Sequence, residues 1–172
     1  LKLAEAEFPD LTEPEREVVR CAGTGEWADL APLGPPDPKK REKYFPGGRL
    51  LRSALVTWLC TDKCAKKLPH RAGLSIKNAT LDTVLDLARA EIPFFIGLHN
   101  CRLPGLNAEG AVLQHNLYLK YSRVDGTLVL NSAKIFGQLQ LQGARLLAKG
   151  HDAFRKNIKK TDIVFNKKNK NK

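Results

Sequence analysis

"LVLNSAKIFGQLQLQGARL", residues 128–146, contains one pattern twice. Four apolar or small side chains in its first half are matched by four of the same kind eleven residues later. The first set is Leu128, Leu130, Ala133 and Ile135, and the second is Leu139, Leu141, Ala144 and Leu146. Repetition at a fixed spacing indicates that each repeat forms one structural unit, so it is the first feature to interpret.

The pattern extends back to residue 74, so that seven units cover residues 74–149. They begin at Leu74, Leu85, Ile96, Leu106, Leu117, Leu128 and Leu139, and the third unit is one residue short. Numbered within a unit, positions 1, 3 and 8 are apolar. Position 6 is small, being alanine in five units, Cys101 in the third and Ser122 in the fifth.

An eleven-residue period also occurs in right-handed helical coiled coils, but the spacing within each unit favours strands. Positions 1 and 3 are two residues apart, as are positions 6 and 8, which places each pair on one face of a strand. Glycine, proline, asparagine and aspartate recur between the pairs, as turns require. Each unit therefore predicts two short strands that bury their apolar face only when successive coils stack.

The small-then-large pair at positions 6 and 8, as in "ATL", "CRL", "AKI" and "ARL", resembles the repeat of the pentapeptide-repeat proteins. Positions 1 and 3 depart from that repeat with a second large residue. The resemblance covers residues 74–149 and implies a short, right-handed, four-sided parallel β-helix, a mainly β fold. It implies no activity, because the family has no shared one. If two units form one coil of the helix, each coil contains about 22 residues and neighbouring coils are spaced by about 4.8 Å.

The chain divides into an N-terminal cap region over residues 1–73, the β-helix over 74–149 and a basic tail over 150–172. In the cap region, Thr12 and Glu15 have the spacing of a capping box, which predicts a helix ended by Gly23 and Gly25. A Pro/Gly-rich loop follows at residues 31–48. "RLLRSALVTWLC", residues 49–60, predicts a second α-helix that covers the open end of the first coil.

The tail combines a few apolar residues with many lysines. Four apolar side chains can form a partial second cap: Phe154, Ile158, Ile163 and Val164. We expect the last residues, "NKKNKNK", to be disordered. Of the formal net charge of +11, the tail contributes more than half. Such a surplus favours anionic partners.

No apolar run approaches the roughly 20 residues that span a bilayer. The start "LKLAEAEF" lacks the pattern of a secretory signal, and four cysteines are too few for a disulfide scaffold. We therefore expect a cytoplasmic protein with reduced thiols and no transmembrane segment.

Two patterns raise the question of catalysis or metal binding. Cys60 and Cys64 with His70 nearby suggest zinc, but a fourth ligand is missing, and a buried and an exposed thiol explain them better. Cys101 occupies the inward position 6 and His99 the outward position 4, so the two do not form a nucleophile and base. No nucleotide motif or paired carboxylates appear. The sequence thus predicts no catalytic residue, metal or cofactor.

Stacking of alternate units predicts two basic columns on one side of the solenoid. Position 7 of the odd units places Arg102, Arg123 and Arg145 in a ladder above Thr80, with guanidinium groups about 5 Å apart. Position 4 places Lys77, His99 and Lys120 in a second column, ending at Gln142. Carboxylates oppose them mainly at Asp82 and Asp125. Tyr118 and Tyr121 flank Lys120 and are available either to stack on bases or to pack at the rim.

We expect a non-catalytic binding or scaffolding module whose partner is a protein or an anionic polymer. A basic face argues against DNA mimicry, which uses acidic faces. One alternative is a nucleic-acid-binding protein that uses the basic face and the tail lysines Lys159, Lys160, Lys167 and Lys168. A plain solvated face and an enzyme of unknown chemistry are the other interpretations. The oligomeric state is left open.

Overall fold

Each repeat unit forms two short strands, one starting at position 1 and one at position 7. The computed structural model describes residues 1–31 and 50–147, together with the backbone of one strand at 163–164. The strands of the units are β3 (Leu74–Lys77), β4 (Thr80–Leu81), β5 (Leu85–Asp86), β6 (Glu91–Ile92), β7 (Ile96–His99), β8 (Arg102–Leu103), β9 (Leu106–Asn107), β10 (Val112–Leu113), β11 (Leu117–Tyr118), β12 (Arg123–Val124), β13 (Leu128–Val129), β14 (Lys134–Ile135), β15 (Leu139–Gln140) and β16 (Arg145–Leu146). Three more strands lie outside the repeats: β1 (Trp27–Asp29), β2 (Leu50–Leu51) and β17 (Ile163–Val164).

The strands pair in parallel into four sheets, one for each side of a solenoid of about three turns. We name them sheet A (β1-β3-β7-β11-β15-β17), sheet B (β2-β4-β8-β12-β16), sheet C (β5-β9-β13) and sheet D (β6-β10-β14). Leu74 pairs with Ile96, Ile96 with Leu117, and Leu117 with Leu139, so one coil takes 21 or 22 residues. The predicted parallel solenoid, with two units per coil, is confirmed.

The core consists of the side chains at positions 1, 3, 6 and 8. All twenty of these side chains in the first five units are buried. The buried hydroxyl of Ser122, at position 6, donates to the Leu98 carbonyl at 2.9 Å and accepts from the Cys101 amide at 3.0 Å. In the last two units several inward side chains are only partly buried, among them Leu128, Ile135 and Leu146. The core therefore becomes more open toward the C-terminal end of the described coils.

The corner after each first strand places position 5 in the left-handed region. All seven residues there have a positive φ: Asn78, Arg89, Asn100, Gly110, Tyr121, Ser132 and Gly143. In most units the position 6 amide donates to the position 3 carbonyl, for example Ala90 to Leu87 at 3.1 Å. A positive φ at the third residue of such a turn is the pattern of a type II turn. Sequence analysis missed this corner because only two of the seven residues are glycine.

The N-terminal region contains α1 (Lys2–Glu7), α2 (Glu13–Thr24), α3 (Ser53–Thr61) and a short 3-10 helix (Ala65–Lys67). The predicted capping box of α2 is present, since the Glu15 carboxylate accepts from the Thr12 amide at 2.8 Å. Gly25, with φ +79°, ends α2 as predicted. The second helix begins later than predicted, because Leu50 and Leu51 form β2 and pair with β4.

Helix α3 covers the first coil, as expected. The Ser53 amide donates to Asp82 Oδ1 at 2.8 Å and the Thr57 hydroxyl donates to the Asp86 carbonyl at 3.0 Å. Leu55 and Leu59 on its inner face are fully buried. Strands β1 and β2 extend sheets A and B beyond the first coil, so the cap supplies two strands and a helix in place of a complete coil.

A buried ion pair joins α2 to the start of α3. Glu15 is 1% exposed, and its carboxylate accepts from Arg52 Nε at 2.6 Å and from Arg52 Nη2 at 2.8 Å. Arg52 also contacts Asp10 and lies over the Phe8 ring. Burial raises the pKa of Glu15, but the hydrogen bonds from Arg52 and Thr12 outweigh it and lower the pKa to about 2. The charged contact thus holds two parts of the cap together, α2 and the β2–α3 segment.

Two predicted segments fall outside the described residues. They are the loop at 31–48, apart from Ala31, and the tail beyond Leu147, apart from the strand at 163–164. That strand pairs with β15, so the tail returns to the last coil on sheet A. Phe154, Ile158 and the four tail lysines remain untested.

Candidate functional site

Both basic columns form in the predicted register. On sheet B, Arg123 pairs with Arg102 on one side and with Arg145 on the other, and Thr80 precedes Arg102. On sheet A, Lys77 pairs with His99. The Asn100 amide bonds to the carbonyl of Lys120, and the Tyr121 amide to that of Gln142, which extends this column. Their role in binding stays a prediction.

One carboxylate bridges two of the three arginines of the ladder on sheet B. Asp125 Oδ2 accepts from Arg102 Nε at 2.6 Å, and Asp125 Oδ1 accepts from Arg123 Nε. Burial raises the pKa of Asp125, but hydrogen bonds from Arg123 and Arg102 hold it below its usual value. Arg145 is exposed and has no ion-pair partner among the described residues. Of the three guanidinium groups, Arg145 is therefore the most available to a ligand.

Asp82, the second carboxylate expected to oppose the ladder, makes its hydrogen bonds with other groups. Asp82 Oδ1 accepts from the Ser53 amide at 2.8 Å and from the Thr83 hydroxyl at 3.2 Å. These hydrogen bonds keep the pKa of Asp82 low despite its partial burial, which acts in the opposite direction. Asp82 thus anchors the first turn of α3, a role that only the tertiary structure reveals.

On sheet A the second column lies among aromatic rings. Lys77 Nζ is 4.8 Å from the centre of the Trp27 ring. Lys120 Nζ is 4.8 Å from the centre of the Tyr118 ring. The His99 ring lies between Trp27, at 6.3 Å, and Tyr121, at 5.3 Å, edge to face with both. We call this surface the sheet A face; it consists of Trp27, Lys77, Phe95, His99, Tyr118, Lys120 and Tyr121.

Small residues at position 2 make room for the rings. Trp27 pairs with Ser75, and Ser75 pairs with Gly97 in the next strand. A Cβ atom on Gly97 would lie 2.6 Å from Phe95 Cζ and 3.0 Å from Trp27 Cη2. The rings of Phe95 and Tyr118 meet at 4.9 Å and those of Trp27 and Phe95 at 6.4 Å. A row of rings therefore lies across β1, β3, β7 and β11.

Asp29 is the only carboxylate within the strands of sheet A, and its described partners are neutral donors. Its Oδ1 accepts from Asn78 Nδ2 at 2.6 Å and from the Ala31 amide at 3.1 Å. Asn100 Nδ2 donates in turn to Asn78 Oδ1 at 2.6 Å, which forms an amide ladder along the corner. Among the described residues, neither Lys77 nor Lys120 has an ion-pair partner.

The surroundings of His99 report a positive local potential. Burial lowers the pKa of His99, and Lys77 and Lys120 lower it further, while Asp29 acts weakly in the opposite direction. An anion bound at this face would relieve the repulsion between the Lys77 and Lys120 ammonium groups. The face is therefore suited to hold negative charge beside exposed rings, since Trp27 is 38% and Tyr121 is 51% exposed.

The cysteines have the structural roles expected of them. Cys101 is fully buried, burial raises the pKa of its thiol to about 12, and its Sγ lies 3.4 Å from the His99 carbonyl. Cys60 is buried and Cys64 is exposed. Across residues 1–31 and 50–147, no three side chains of the histidine, cysteine, aspartate and glutamate types meet as metal ligands would.

Comparison with known proteins found no match to a family, to a curated protein or to a solved structure. The resemblance to pentapeptide-repeat proteins thus extends to the parallel solenoid and no further. In the described part of the chain, no helix has the length and apolarity to cross a membrane.

Proposed function

We propose that this protein is a non-catalytic binding module and that its sheet A face holds an anionic partner. The observation that carries the proposal is the placement of Lys77, His99 and Lys120 on one face without a carboxylate bound to any of them among the described residues. Lys77 and Lys120 are two strands apart, or about 10 Å, which is close to the Debye length at 0.1 M salt. Both ammonium groups therefore act on the same partner.

The remaining sides of the solenoid support this choice of face. Sheets C and D carry Asp86, Glu91 and Glu109 together with Arg89 and Lys134, so their charges are mixed. On sheet B, Asp125 occupies two of the three arginines. Among the described residues Arg145 has no ion-pair partner, and it lies on the side next to sheet A.

Charge reversal tests the proposal. Lys77→Glu/Lys120→Glu should weaken binding of a labelled polyanion by at least about tenfold near 0.1 M salt and flatten its salt dependence. Arg89→Glu/Lys134→Glu makes the same change in net charge on the other sides of the solenoid and should change affinity by less than about threefold. Fluorescence anisotropy with polyglutamate, duplex DNA and single-stranded DNA supplies the affinities, and circular dichroism verifies the fold. Equal losses in both variants would contradict a site on sheet A.

The tail is a second candidate for the same activity. Strand β17 pairs with β15, which brings the tail to sheet A, and residues 150–172 hold eight basic and two acidic side chains. Changing Lys159, Lys160, Lys167 and Lys168 to glutamine in the full chain removes four of these eight positive charges and leaves the β17 sequence unchanged. If this variant loses the affinity and Lys77→Glu/Lys120→Glu retains it, the tail is the site.

A further inference from the structure

We propose that the partner of the sheet A face is a single-stranded nucleic acid, whose bases stack on Trp27 and Tyr121 while its phosphates contact Lys77 and Lys120. This inference rests on the proposed function and adds the chemical class of the ligand. It starts from the rings, because a duplex or a polyanion without apolar groups, such as polyglutamate, contacts the charges of this face and not its aromatic side chains.

The rings lie where a strand of nucleotides would pass. The Trp27 and Tyr121 rings each meet the His99 ring, so their centres are at most about 12 Å apart, which is the length of about three stacked nucleotides at 3.4 Å each. Gly97 and Ser75 leave space for the rings on this face of the sheet because they carry no bulky side chain. Substantial parts of Trp27 and Tyr121 remain exposed at the two ends of this row. Single-strand binding surfaces combine such stacking platforms with positive charge.

Each lysine is placed so that its ammonium group can leave an aromatic ring and bind a phosphate. Lys77 Nζ and Lys120 Nζ each lie 4.8 Å from the centre of a ring, Trp27 and Tyr118 respectively. A cation over an exposed ring is held weakly, and a base stacked on the same ring is held more strongly. An arriving base therefore displaces the ammonium from the ring face, and the ammonium moves to the adjacent phosphate. In the free protein the ring and the ammonium group are thus both available, since the ammonium makes no ion pair with a described residue.

Tyr121 occupies a backbone conformation in which another residue type would be less strained. It has a φ of +56°, and the equivalent corner residues in the two preceding coils are Asn78 and Asn100, a residue type that tolerates this conformation better. Its ring lies against the position where a Cβ of Gly143 would be, 2.4 Å from Tyr121 Cδ1. A half-exposed tyrosine in a strained backbone position, next to His99, favours a role on the surface over a role in the fold.

A duplex does not fit this arrangement, because its bases are stacked inside and cannot reach the rings of a sheet. Duplex DNA would bind through its phosphates alone, with an affinity set by the lysines. An acidic peptide would do the same. The three ligands therefore differ in whether removal of the rings weakens binding.

The test removes the rings and keeps every charge. Trp27→Leu/Tyr121→Asn should weaken binding of oligothymidylate or oligouridylate of about 12 nucleotides by at least about tenfold and leave its salt slope unchanged. Affinity for duplex DNA and for polyglutamate should change by less than about threefold. Phe136→Leu removes an exposed ring from another side of the solenoid and serves as the control, since Phe136 is 69% exposed. Comparison of the two oligonucleotides shows whether the sugar matters.

A second measurement uses the intact face. The chain has two tryptophans, so Trp58→Phe leaves Trp27 as the only one. Saturation with oligothymidylate should quench the Trp27 fluorescence, and saturation with polyglutamate should not. If the oligonucleotide binds without quenching and the ring variant binds it normally, the single-strand inference is overturned while the anion-binding proposal stands. If no polyanion binds at about 50 mM salt, both are overturned.

Discussion

The two basic columns of the solenoid have the same origin and different surroundings. Each arises because one outward position repeats every coil, at position 4 on sheet A and position 7 on sheet B. On sheet B, Asp125 lies two residues after Arg123 on the same face and binds both Arg123 and Arg102. On sheet A no carboxylate follows Lys120, and rings contact the lysines instead. A count of charges treats the columns alike, but the nearest carboxylate decides which of them can bind a ligand.

The difference also concerns rigidity. Arginines held by a carboxylate at 2.6 Å are fixed in place and stabilise the contact between two coils. Lysines over rings keep the mobility of their four-carbon stems. Sheet B therefore holds two of its cations in place, and sheet A is better suited to capture a ligand.

The largest effect we expect is on the free energy of unfolding, which should respond differently to substitution of a glycine next to sheet B and of a glycine on sheet A. A Cβ atom on Gly126, at the corner after β12, would lie 2.2 Å from the Pro104 carbonyl oxygen of the preceding coil. Because this contact is with backbone, Gly126→Ala must push the coils apart, and it should lower the free energy of unfolding by about 3 kcal/mol. Gly97→Ala meets only the Phe95 and Trp27 rings and should cost about 1 kcal/mol. Urea denaturation measures both values.

Two further readouts make the glycine comparison specific. Gly97→Ala should shift the fluorescence of Trp27, whereas Gly126→Ala should leave it unchanged in the folded state. Gly23→Ala, in α2, is the control because nothing lies within 4 Å of its Cβ position, and it should stabilise slightly. Equal losses for Gly97→Ala and Gly126→Ala would show that the rings of sheet A are as rigid as its backbone.

Sequence analysis predicted the repeat, the inward positions and both columns, because all three follow from local periodicity. It missed β1, which pairs with β3 although more than forty residues separate them and no repeat announces it. Trp27 was therefore absent from the predicted site. The start of α3 was misplaced because the pattern of "RLLRSALVTWLC" is helical throughout. In the structure Leu51 pairs with β4 as part of a strand, and the Ser53 amide donates to Asp82.

The choice between the columns was equally beyond the sequence. Asp125 was recognised as an opposing charge, but that it binds two arginines at once depends on side-chain positions in adjacent coils. A right-handed winding, a cytoplasmic location and the absence of catalysis stay predictions.

The next prediction tests whether Asp125 keeps the arginine ladder from binding a polyanion. Asp125→Asn frees Arg102 and Arg123 and should raise polyanion affinity by about fivefold at 0.1 M salt, while it lowers stability by about 1–2 kcal/mol. Asp86→Asn, on sheet C, changes the net charge equally and should leave affinity within about twofold. If Asp125→Asn does not strengthen binding, the ligand contacts sheet A alone and the ladder is purely structural.

The smallest effect comes from the histidine between the two lysines. An anion at the sheet A face stabilises protonated His99 against Lys77 and Lys120, so binding takes up a proton and affinity should rise by about two- to threefold from pH 7.5 to 5.5. In the free protein the lowered pKa acts in the opposite direction. Because folded His99 binds its proton less readily than unfolded His99, its contribution to stability declines as the pH falls through the unfolded value of about 6.5. His99→Gln should abolish the rise in affinity, and His115→Gln should preserve it. A pH profile that is flat in the unmodified chain would place the anion away from His99, and so away from the centre of the column that distinguishes sheet A from sheet B.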